Sequence, residues 1–276
     1  MKEGVRARRA PCLLRQLWIA LAAHVYWFRV GGKNKENRSS STPTCGSSTR
    51  RIVVRSTTGT KPGPRLCESI GPGQRASAIV VGGQPGRYAF KSVPLRFDER
   101  QPPLPEVDLG TVVSDGPPAD IAAAEAVVRS QHVNEPLYAD VVRSSPIAHR
   151  RTFAFSVSPD KSRFFINDEV FDENRTDVTI KLGDTEEWTI LNQDSQYHDF
   201  HIHQTGFLVT EVNGTPTRFD GLRDTFSVPP MKNGAPGAAK MIIPFTNPDI
   251  VGRFVFHCHV VKHEDKGMMQ VIELRQ

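Results

Sequence analysis

Six of the nine histidines lie in two short stretches near the end of the sequence. The first stretch reads HDFHIH, and the second reads HCHVVKHEDKGM, where a cysteine stands between two histidines. Imidazole, thiolate and thioether groups are the ligands of copper, zinc and other soft or borderline metals. The candidate metal ligands are therefore His198, His201, His203, His257, Cys258, His259, His263 and Met268.

The spacing of these residues predicts two metal sites that share one β-strand. Successive side chains of a strand point to opposite faces. Cys258 then faces one side of its strand, whereas His257 and His259 face the other side. By the same rule His201 and His203 share a face, and we place His198 on a turn before them.

The ligand types indicate which metal each site takes. A thiolate, two imidazoles and a weak axial thioether form a blue-copper electron-transfer site, and Cys258, His198, His263 and Met268 supply such a set. The other four histidines form an all-imidazole set, which suits copper that binds and reduces oxygen. This set consists of His201, His203, His257 and His259.

Zinc is the alternative metal, because cysteine and histidine also bind zinc. Zinc sites rarely interleave two ligand sets on one strand, and a methionine five residues after His263 has no role in them. Met269 is interpreted as a packing residue. His24, His132 and His149 have no partners at ligand spacing and are interpreted as ordinary histidines.

Residues 151–276 have the pattern of an all-β domain. Many short runs of β-formers, separated by turn residues, are typical of a β-sandwich or barrel. The predicted strands are Thr152–Val157, Arg163–Ile166, Asp177–Leu182, Glu187–Asn192, Phe207–Val212, Thr225–Val228, Met241–Phe245, Arg253–His259 and Met269–Leu274.

Three segments precede this domain. Residues 66–116 contain two predicted strands, Ala76–Val81 and Gly86–Val93, on either side of a Gly/Pro turn. Residues 117–150 are predicted to be mainly a linker, with a short helix at Asp120–Ser130. Residues 1–65 are predicted to be a disordered or aberrant basic segment, because they are polar and lack a sustained period.

The charge is unevenly divided between these segments. Residues 1–65 hold 14 of the 35 Lys and Arg but 2 of the 30 Asp and Glu, which leaves 21 basic and 28 acidic residues in the remainder. No nucleic-acid-binding motif accompanies the basic segment, so nucleic acid is not an expected partner. The apolar run Leu17–Phe28 is too short for a membrane span. It could be the core of a signal peptide with Ala20-Leu21-Ala22 as the cleavage site.

The two ligand stretches resemble the multicopper oxidases, the laccase-like enzymes. Their C-terminal cupredoxin domain carries H-x-x-H-x-H followed by H-C-H-x-x-x-H-x-x-x-x-M, and every ligand position is matched here. Flanking stretches such as FFINDEVFD, RDTFSVPP and HEDKGMM are similar to bacterial members. The stretch IGPGQRASAIVVGGQPGRYAFKSVP resembles the end of a middle domain.

The resemblance implies one complete and one partial cupredoxin-like Greek-key β-sandwich. It also implies one-electron oxidation of phenolic or metal-ion substrates, coupled to reduction of oxygen to water, outside the cytoplasm. A type 1 copper would be held by His198, Cys258, His263 and Met268. His201 would bind type 2 copper, and His203, His257 and His259 would bind the type 3 pair. Glu264 would deliver protons, although a plain surface charge is an equal alternative.

The resemblance also implies eight histidines for the oxygen-reducing cluster, of which four are found. No H-x-H motif precedes residue 198. Three expectations remain open: an oxidase completed by a partner chain, a blue-copper electron-transfer or copper-binding protein without oxygen reduction, and a fragment of a longer oxidase lacking its N-terminal domain.

Overall fold

The N-terminal part of the chain contributes two small β-sheets. A computed structural model describes residues 16–20, 26–30, 53–54, 69–80, 85–94, 97–98, 100–115, 123, 138–219 and 221–276. Strands β1, β5 and β3 form one sheet in that order, and β4, β2, β6 and β7 form the other. The strands are β1 (Gln16–Ala20), β2 (Tyr26–Val30), β3 (Val53–Val54), β4 (Ser69–Ile70), β5 (Arg75–Val80), β6 (Gly86–Val93) and β7 (Val107–Ser114).

Three stretches of the first 65 residues form β-strands, whereas this segment was predicted to be disordered or aberrant. Strands β1 and β3 pair with β5, and β2 pairs with β4 and β6. β1 and β2 contain QLWIA and YWFRV, which are rich in aromatic and β-branched residues that suit strands. The strand propensity of β1 and β2 was overlooked because basic residues surround them. The rest of this segment lies outside the described residues, including Leu21 and Ala22 of the candidate cleavage site. So does almost all of the predicted helix Asp120–Ser130.

The C-terminal part is a sandwich of two larger sheets. One sheet has the order β14-β13-β16-β11-β8-β9, and the other has the order β10-β18-β17-β12-β15. Helix α1 is Tyr138–Ser144, a 3₁₀ turn is Pro248–Ile250, and helix α2 is Val261–Glu264. The strands are β8 (His149–Val157), β9 (Phe164–Ile166), β10 (Val178–Lys181), β11 (Thr185–Asn192), β12 (His198–Ile202), β13 (Leu208–Val212), β14 (Thr215–Pro216), β15 (Thr225–Val228), β16 (Gly237–Pro244), β17 (Gly252–Cys258) and β18 (Met269–Arg275).

The chain passes repeatedly from one sheet of the sandwich to the other, and side-chain alternation explains why the sheets stack. In β10, Val178 and Ile180 are buried while Thr179 and Lys181 are exposed. Such two-residue periods give each sheet one apolar face, which is stable only against another apolar face. The result is the all-β, cupredoxin-like sandwich that the sequence predicts.

Aromatic rings fill the space between the two sheets. Trp188 of β11 lies 5.1 Å from Phe256 of β17, and Phe153 of β8 lies 4.8 Å from the same ring, measured between ring centroids. Trp188 is fully buried, and its indole N–H donates to Glu186 Oε2 at 2.7 Å. This cluster fixes the distance between β11 and β17, and β17 carries the second ligand stretch.

All nine strands predicted for residues 151–276 coincide with observed strands. The placement of His198 on a turn is wrong, because His198 is the first residue of β12 and pairs with Val228. The predicted linker also contains α1, whose Ala139 and Val142 are buried in the core. Among the described residues, no helix has the length and apolar character needed to cross a bilayer.

Replacing Trp188 by alanine should destabilise the sandwich strongly. Deleting a fully buried large aromatic side chain costs about 3–5 kcal/mol, since both contacts and buried area are lost. Phe171, which is 37% exposed, is the matched control, and its alanine variant should stay within about 1 kcal/mol of the unchanged protein. Urea unfolding of both variants measures the difference; equal midpoints would contradict the packing described.

Candidate metal centre

Strands β12 and β17 bring the two ligand stretches side by side. In their antiparallel pairing, Phe200 lies opposite Cys258 and His201 lies opposite His257. Because facing residues of paired strands share a side of the sheet, His201 and His257 project together, while Cys258 projects into the sandwich with Phe200. Two clusters of candidate metal ligands result, one on each side.

The first cluster, here called the thiol site, consists of His198, Cys258, His263 and Met268. The Sγ atom of Cys258 lies 3.5 Å from Nδ1 of His198 and 3.5 Å from Nδ1 of His263. The two Nδ1 atoms lie 3.2 Å apart. The centre of this triangle lies roughly 2 Å from each atom, which is a metal–ligand bond length. The three donors therefore fit a single ion.

The turn after β17 holds the remaining side chains of the thiol site. The N–H of Cys258 donates to the carbonyl of Met268 at 3.1 Å, and the N–H of Met268 donates to the carbonyl of His263 at 3.1 Å. Met268 is fully buried. Gly267 has a φ of +107°, a conformation that side chains disfavour, and this lets the chain reverse before Met268.

Burial keeps the thiol site neutral in the absence of a metal. It lowers the pKa of His198. Burial, followed by the neighbouring His198, lowers the pKa of His263 to about 3. The same loss of solvent raises the pKa of the Cys258 thiol. Neutral imidazoles are ready to bind a metal, whereas the thiol must release its proton on binding.

The buried carboxylate of Asp194 lies beside the ring of His198. Oδ2 of Asp194 lies 3.5 Å from Nε2 of His198, so this ring has its Nδ1 towards the thiol and its Nε2 towards a carboxylate. Arg100 contacts Asp194 at 3.2 Å and Asp98 at 3.3 Å. Although burial opposes the shift, contacts with His198, Ser195 and Arg100 hold the pKa of Asp194 at about 2. Asp194 was not predicted from the sequence.

The second cluster, here called the imidazole site, consists of His201, His203, His257 and His259. Ligand nitrogens of the first three residues lie within 4.8 Å of one another, and the Nε2 atoms of His203 and His257 are 3.1 Å apart. His259 is not part of that close group, but its ring centroid lies 5.0 Å from that of His201. Its Nδ1 is buried without a hydrogen-bond partner, as expected of a donor kept for a metal.

The backbone fixes which nitrogen of His201 is free. Nδ1 of His201 donates to the carbonyl of Asp224 at 2.8 Å, which leaves Nε2 available to bind a metal. Burial lowers the pKa of His201 to about 4 and that of His257 to about 4. Both imidazoles are neutral at physiological pH and can bind a metal.

Glu264 lies next to the imidazole site. Its Oε2 atom is 3.3 Å from Nδ1 of His257. Burial raises the pKa of the Glu264 carboxyl, so this group is better placed to carry a proton than a solvated glutamate. The Glu264 carboxyl thus contacts the ring of a candidate ligand.

Asp199 is a second buried carboxyl that was not predicted. It lies between His198 and His201 in β12, accepts a hydrogen bond from Ser227 Oγ, and has a pKa that burial raises to about 7. Its carbonyl accepts from the N–H of His259 at 2.7 Å, which ties β12 to the residue that follows β17. A carboxyl residue between two candidate ligands of one short strand was the available signal.

A third group of possible ligands was missed because it is formed across strands. His149 lies opposite Glu186 in the parallel pair of β8 and β11, and Asp184 is close by. Both oxygens of Glu186 already accept hydrogen bonds from Arg151, at 2.7 and 2.9 Å. This group is therefore an ion-pair network, and we assign it no metal.

The fold and the donor sets together define a cupredoxin-like domain with two candidate metal sites. Two imidazoles and one thiol converge within a β-sandwich, and such a donor set fits a metal that prefers soft ligands, copper among them. Residues 144–276 match the sequence model of the family described as multicopper oxidase. These residues are therefore similar to a multicopper oxidase domain, and that family implies copper as the metal.

Individual relatives agree with this family. The chain is 39% identical over 115 residues to the multicopper oxidase mco of Staphylococcus haemolyticus, covering 40% of this chain and 24% of that protein. It is 31% identical over 110 residues to the laccase of Haloferax volcanii, covering 38% of this chain and 18% of that laccase. The chain thus matches about a quarter or less of the length of these relatives.

Solved structures show the same fold. The multicopper oxidase of Campylobacter jejuni, described as a metallo-oxidase, has a TM-score of 0.60 at 19% identity and covers 95% of this chain and 53% of its own. A bacterial laccase-like multicopper oxidase from Ochrobactrum sp. has a TM-score of 0.61 at 21% identity and covers 96% of this chain and 56% of its own. The chain therefore corresponds to roughly half of each three-dimensional relative.

Replacing Gly267 by alanine should disturb the turn that holds the thiol site. The added Cβ would lie 2.3 Å from Cγ1 of Val170, so the turn must shift. Gly183 has a similar φ of +98° with nothing within 4 Å, and its alanine variant measures the backbone strain alone. We expect Gly267→Ala to cost about 1–3 kcal/mol more in unfolding free energy than Gly183→Ala. Equal costs by urea unfolding would contradict this steric argument.

Proposed function

We propose that the thiol site binds a type 1 copper and that the imidazole site forms half of an oxygen-reducing copper cluster. His201 would bind the type 2 ion, and His203, His257 and His259 would bind the type 3 pair. The observation that carries this proposal is the triangle of Cys258, His198 and His263 beside the convergent imidazoles. Copper at these sites would supply one-electron oxidation of a substrate and reduction of oxygen to water.

The residues of β17 would connect the two sites. Cys258 belongs to the thiol site, and its covalent neighbours His257 and His259 belong to the imidazole site. Electrons would pass between the sites along this short stretch of bonded atoms. A rigid, buried strand suits this role, because it holds donor and acceptor groups at a constant distance.

Glu264 would supply protons to the oxygen-reducing side. Reduction of one oxygen molecule to two waters consumes four electrons and four protons. The contact between Glu264 and His257 places a carboxyl of raised pKa at the edge of the imidazole site. A carboxyl with a pKa nearer to neutral exchanges protons more effectively than an ordinary one.

Four further histidines would be needed to complete the cluster. In this sequence, H-x-H occurs only at His201–His203 and at His257–His259. A cavity of about 530 Å³ opens beside the imidazole site, and His203 is exposed. This open side is where a further cupredoxin domain, from a longer chain or a partner chain, would contribute its histidines.

The substrate would be a small reductant, such as a phenol or a metal ion, oxidised near the thiol site. This substrate class comes from the resemblance, as does a periplasmic or extracellular location. The domain division, with a partial middle domain at 66–116, a linker at 117–150 and the copper domain at 151–276, is part of the same proposal. The described contacts link these segments, for example between Arg100 and Asp194.

Oxygen uptake tests the proposed oxidase activity. The copper-loaded chain is mixed with a phenolic substrate, and oxygen is followed with an electrode. Uptake that falls about 100-fold or more in Glu264→Gln supports the proposed proton supply, since a positioned acid contributes about that much. Glu173→Gln, at an exposed position away from both sites, is the control. Uptake unchanged by Glu264→Gln would remove Glu264 from the mechanism.

A blue-copper protein without oxygen-reducing activity is the second candidate function. The complete thiol site and the open imidazole site favour it for this chain on its own. Such a protein would be blue and would accept one electron, but it would consume no oxygen. If the copper-loaded chain absorbs in the blue-copper band but consumes no oxygen, the electron-transfer function is supported. If it also consumes oxygen, the oxidase is supported.

Replacing Cys258 by serine should abolish the blue colour but not the other copper. The thiolate produces the intense absorption of blue-copper sites, and a hydroxyl does not replace it. Copper bound by the imidazole site should remain, since its donors face the other side of β17. His149→Ala, at a histidine outside both sites, should retain both copper signals. Absorption and electron paramagnetic resonance spectra distinguish these results, and a blue Cys258→Ser protein would contradict the assignment.

A further inference from the structure

Residues 71–75, which read GPGQR, form a turn that touches the imidazole site although it lies outside the family match of residues 144–276. We propose that this 71–75 turn is a positioning element of the imidazole site, which sets its affinity for copper by holding His259 and His201. The proposal rests on the proposed function in one respect: the imidazole site must bind copper. It adds a segment to the site that supplies no ligand itself.

Gly73 is in direct contact with the ring of His259. A Cβ built on Gly73 would lie 2.6 Å from Cδ2 and 2.8 Å from Nε2 of that ring, closer than real Cβ contacts. The φ of Gly73 is +75°, which glycine adopts without strain. Position 73 therefore combines a backbone conformation and a lack of space that only glycine satisfies. The backbone of the turn forms a wall against one side of the imidazole.

The turn is itself held rigidly against the copper domain. The N–H of Gln74 donates to the carbonyl of Gly71 at 3.1 Å, and the N–H of Gly71 donates to Oε1 of Gln74 at 2.8 Å. Gln74 is buried, and its Nε2 donates to the carbonyl of Thr225 in β15 at 3.4 Å. Gly71 lies so close to Asp199 that a Cβ there would overlap the carboxylate. These contacts prevent the backbone of the turn from moving away from the ring of His259.

Arg75 extends the same turn to His201. Its guanidinium donates to both oxygens of Asp224, at 2.7 and 2.8 Å, and to the carbonyl of Gly73 at 3.2 Å. Asp224 in turn accepts the Nδ1 proton of His201 through its carbonyl oxygen. A two-pronged arginine–carboxylate contact fixes direction as well as distance. The turn thus acts on one ligand by packing and on a second ligand through Asp224.

The described contacts of the turn concern the imidazole site and not the thiol site. His259 and His201 are its two histidine targets, whereas His198 is supported by Asp194 and Arg100 from a different part of the chain. This separation makes the proposal testable, because the blue absorption of the thiol site reports whether the domain is still folded.

The experiment compares Gly73→Ala with Gly214→Ala in the chain of 276 residues. Both glycines have a φ of +75°, but Gly214 has nothing within 4 Å, so its variant carries the same backbone strain without the clash. Copper(II) alone is titrated, the thiol site is followed by its blue absorption, and the imidazole site by electron paramagnetic resonance. We expect Gly73→Ala to weaken copper binding at the imidazole site by about 10–100-fold, the usual effect of disturbing a ligand's support. The thiol site should bind as in Gly214→Ala.

A second pair of variants tests the arginine contact at the surface. Arg75→Ala should weaken copper binding at the imidazole site by about threefold to tenfold, a smaller effect because this ion pair is half exposed. Arg275→Ala removes another exposed arginine–carboxylate pair, with Glu273, and should leave both sites unchanged.

The possible outcomes separate this proposal from the proposed function. If the unchanged chain binds no copper at the imidazole site, both proposals are wrong. If it does bind, and Gly73→Ala matches Gly214→Ala, the positioning role alone is overturned. Loss of the blue absorption together with the imidazole signal in Gly73→Ala would show a general folding role and would also overturn the proposal.

Discussion

The pairing of β12 with β17 is the constraint on which both candidate sites depend. It joins two stretches that lie about 50 residues apart, and its register places His201 opposite His257 and Phe200 opposite Cys258. A slip by one residue would turn every side chain of one strand to the other face. The thiol would then meet water, and the imidazoles would enter the apolar core. The aromatic packing between the sheets opposes that slip, because the slip would turn the buried ring of Phe256 or Phe200 out of the core.

Much of the domain could be predicted because its strands obey simple local rules. Runs of β-formers separated by turns identified nine strands of the sandwich, and two-residue periodicity separated Cys258 from its histidine neighbours. The ligand candidates could be named for a similar reason: metal chemistry restricts which residue types occur together at short spacing. His198 was misplaced because the pattern showed where His201 and His203 pointed but not where β12 began.

The supporting residues could not be predicted, because they act across large distances in the sequence. Asp194 is close to His198, but the residue that secures it, Arg100, is 94 positions away. Gly73 and His259 are farther apart still, and no spacing rule connects a turn glycine with a histidine ring. Pairing of β1 and β2 with β5 and β6 was likewise hidden, since partner strands become visible only when the sheet is formed. Local sequence therefore specifies ligands better than it specifies what holds them.

The position of β18 has a consequence for the order of events during synthesis. This strand is formed by Met269–Arg275 and lies between β10 and β17, so it is an interior strand of its sheet although it follows all the others in the chain. While the ribosome is still adding these residues, β17 lacks one of its two neighbours. Folding of this sheet is thus delayed until translation of the domain is finished. The sheet that carries the thiol site is therefore complete only once β18 has paired with β17 and β10.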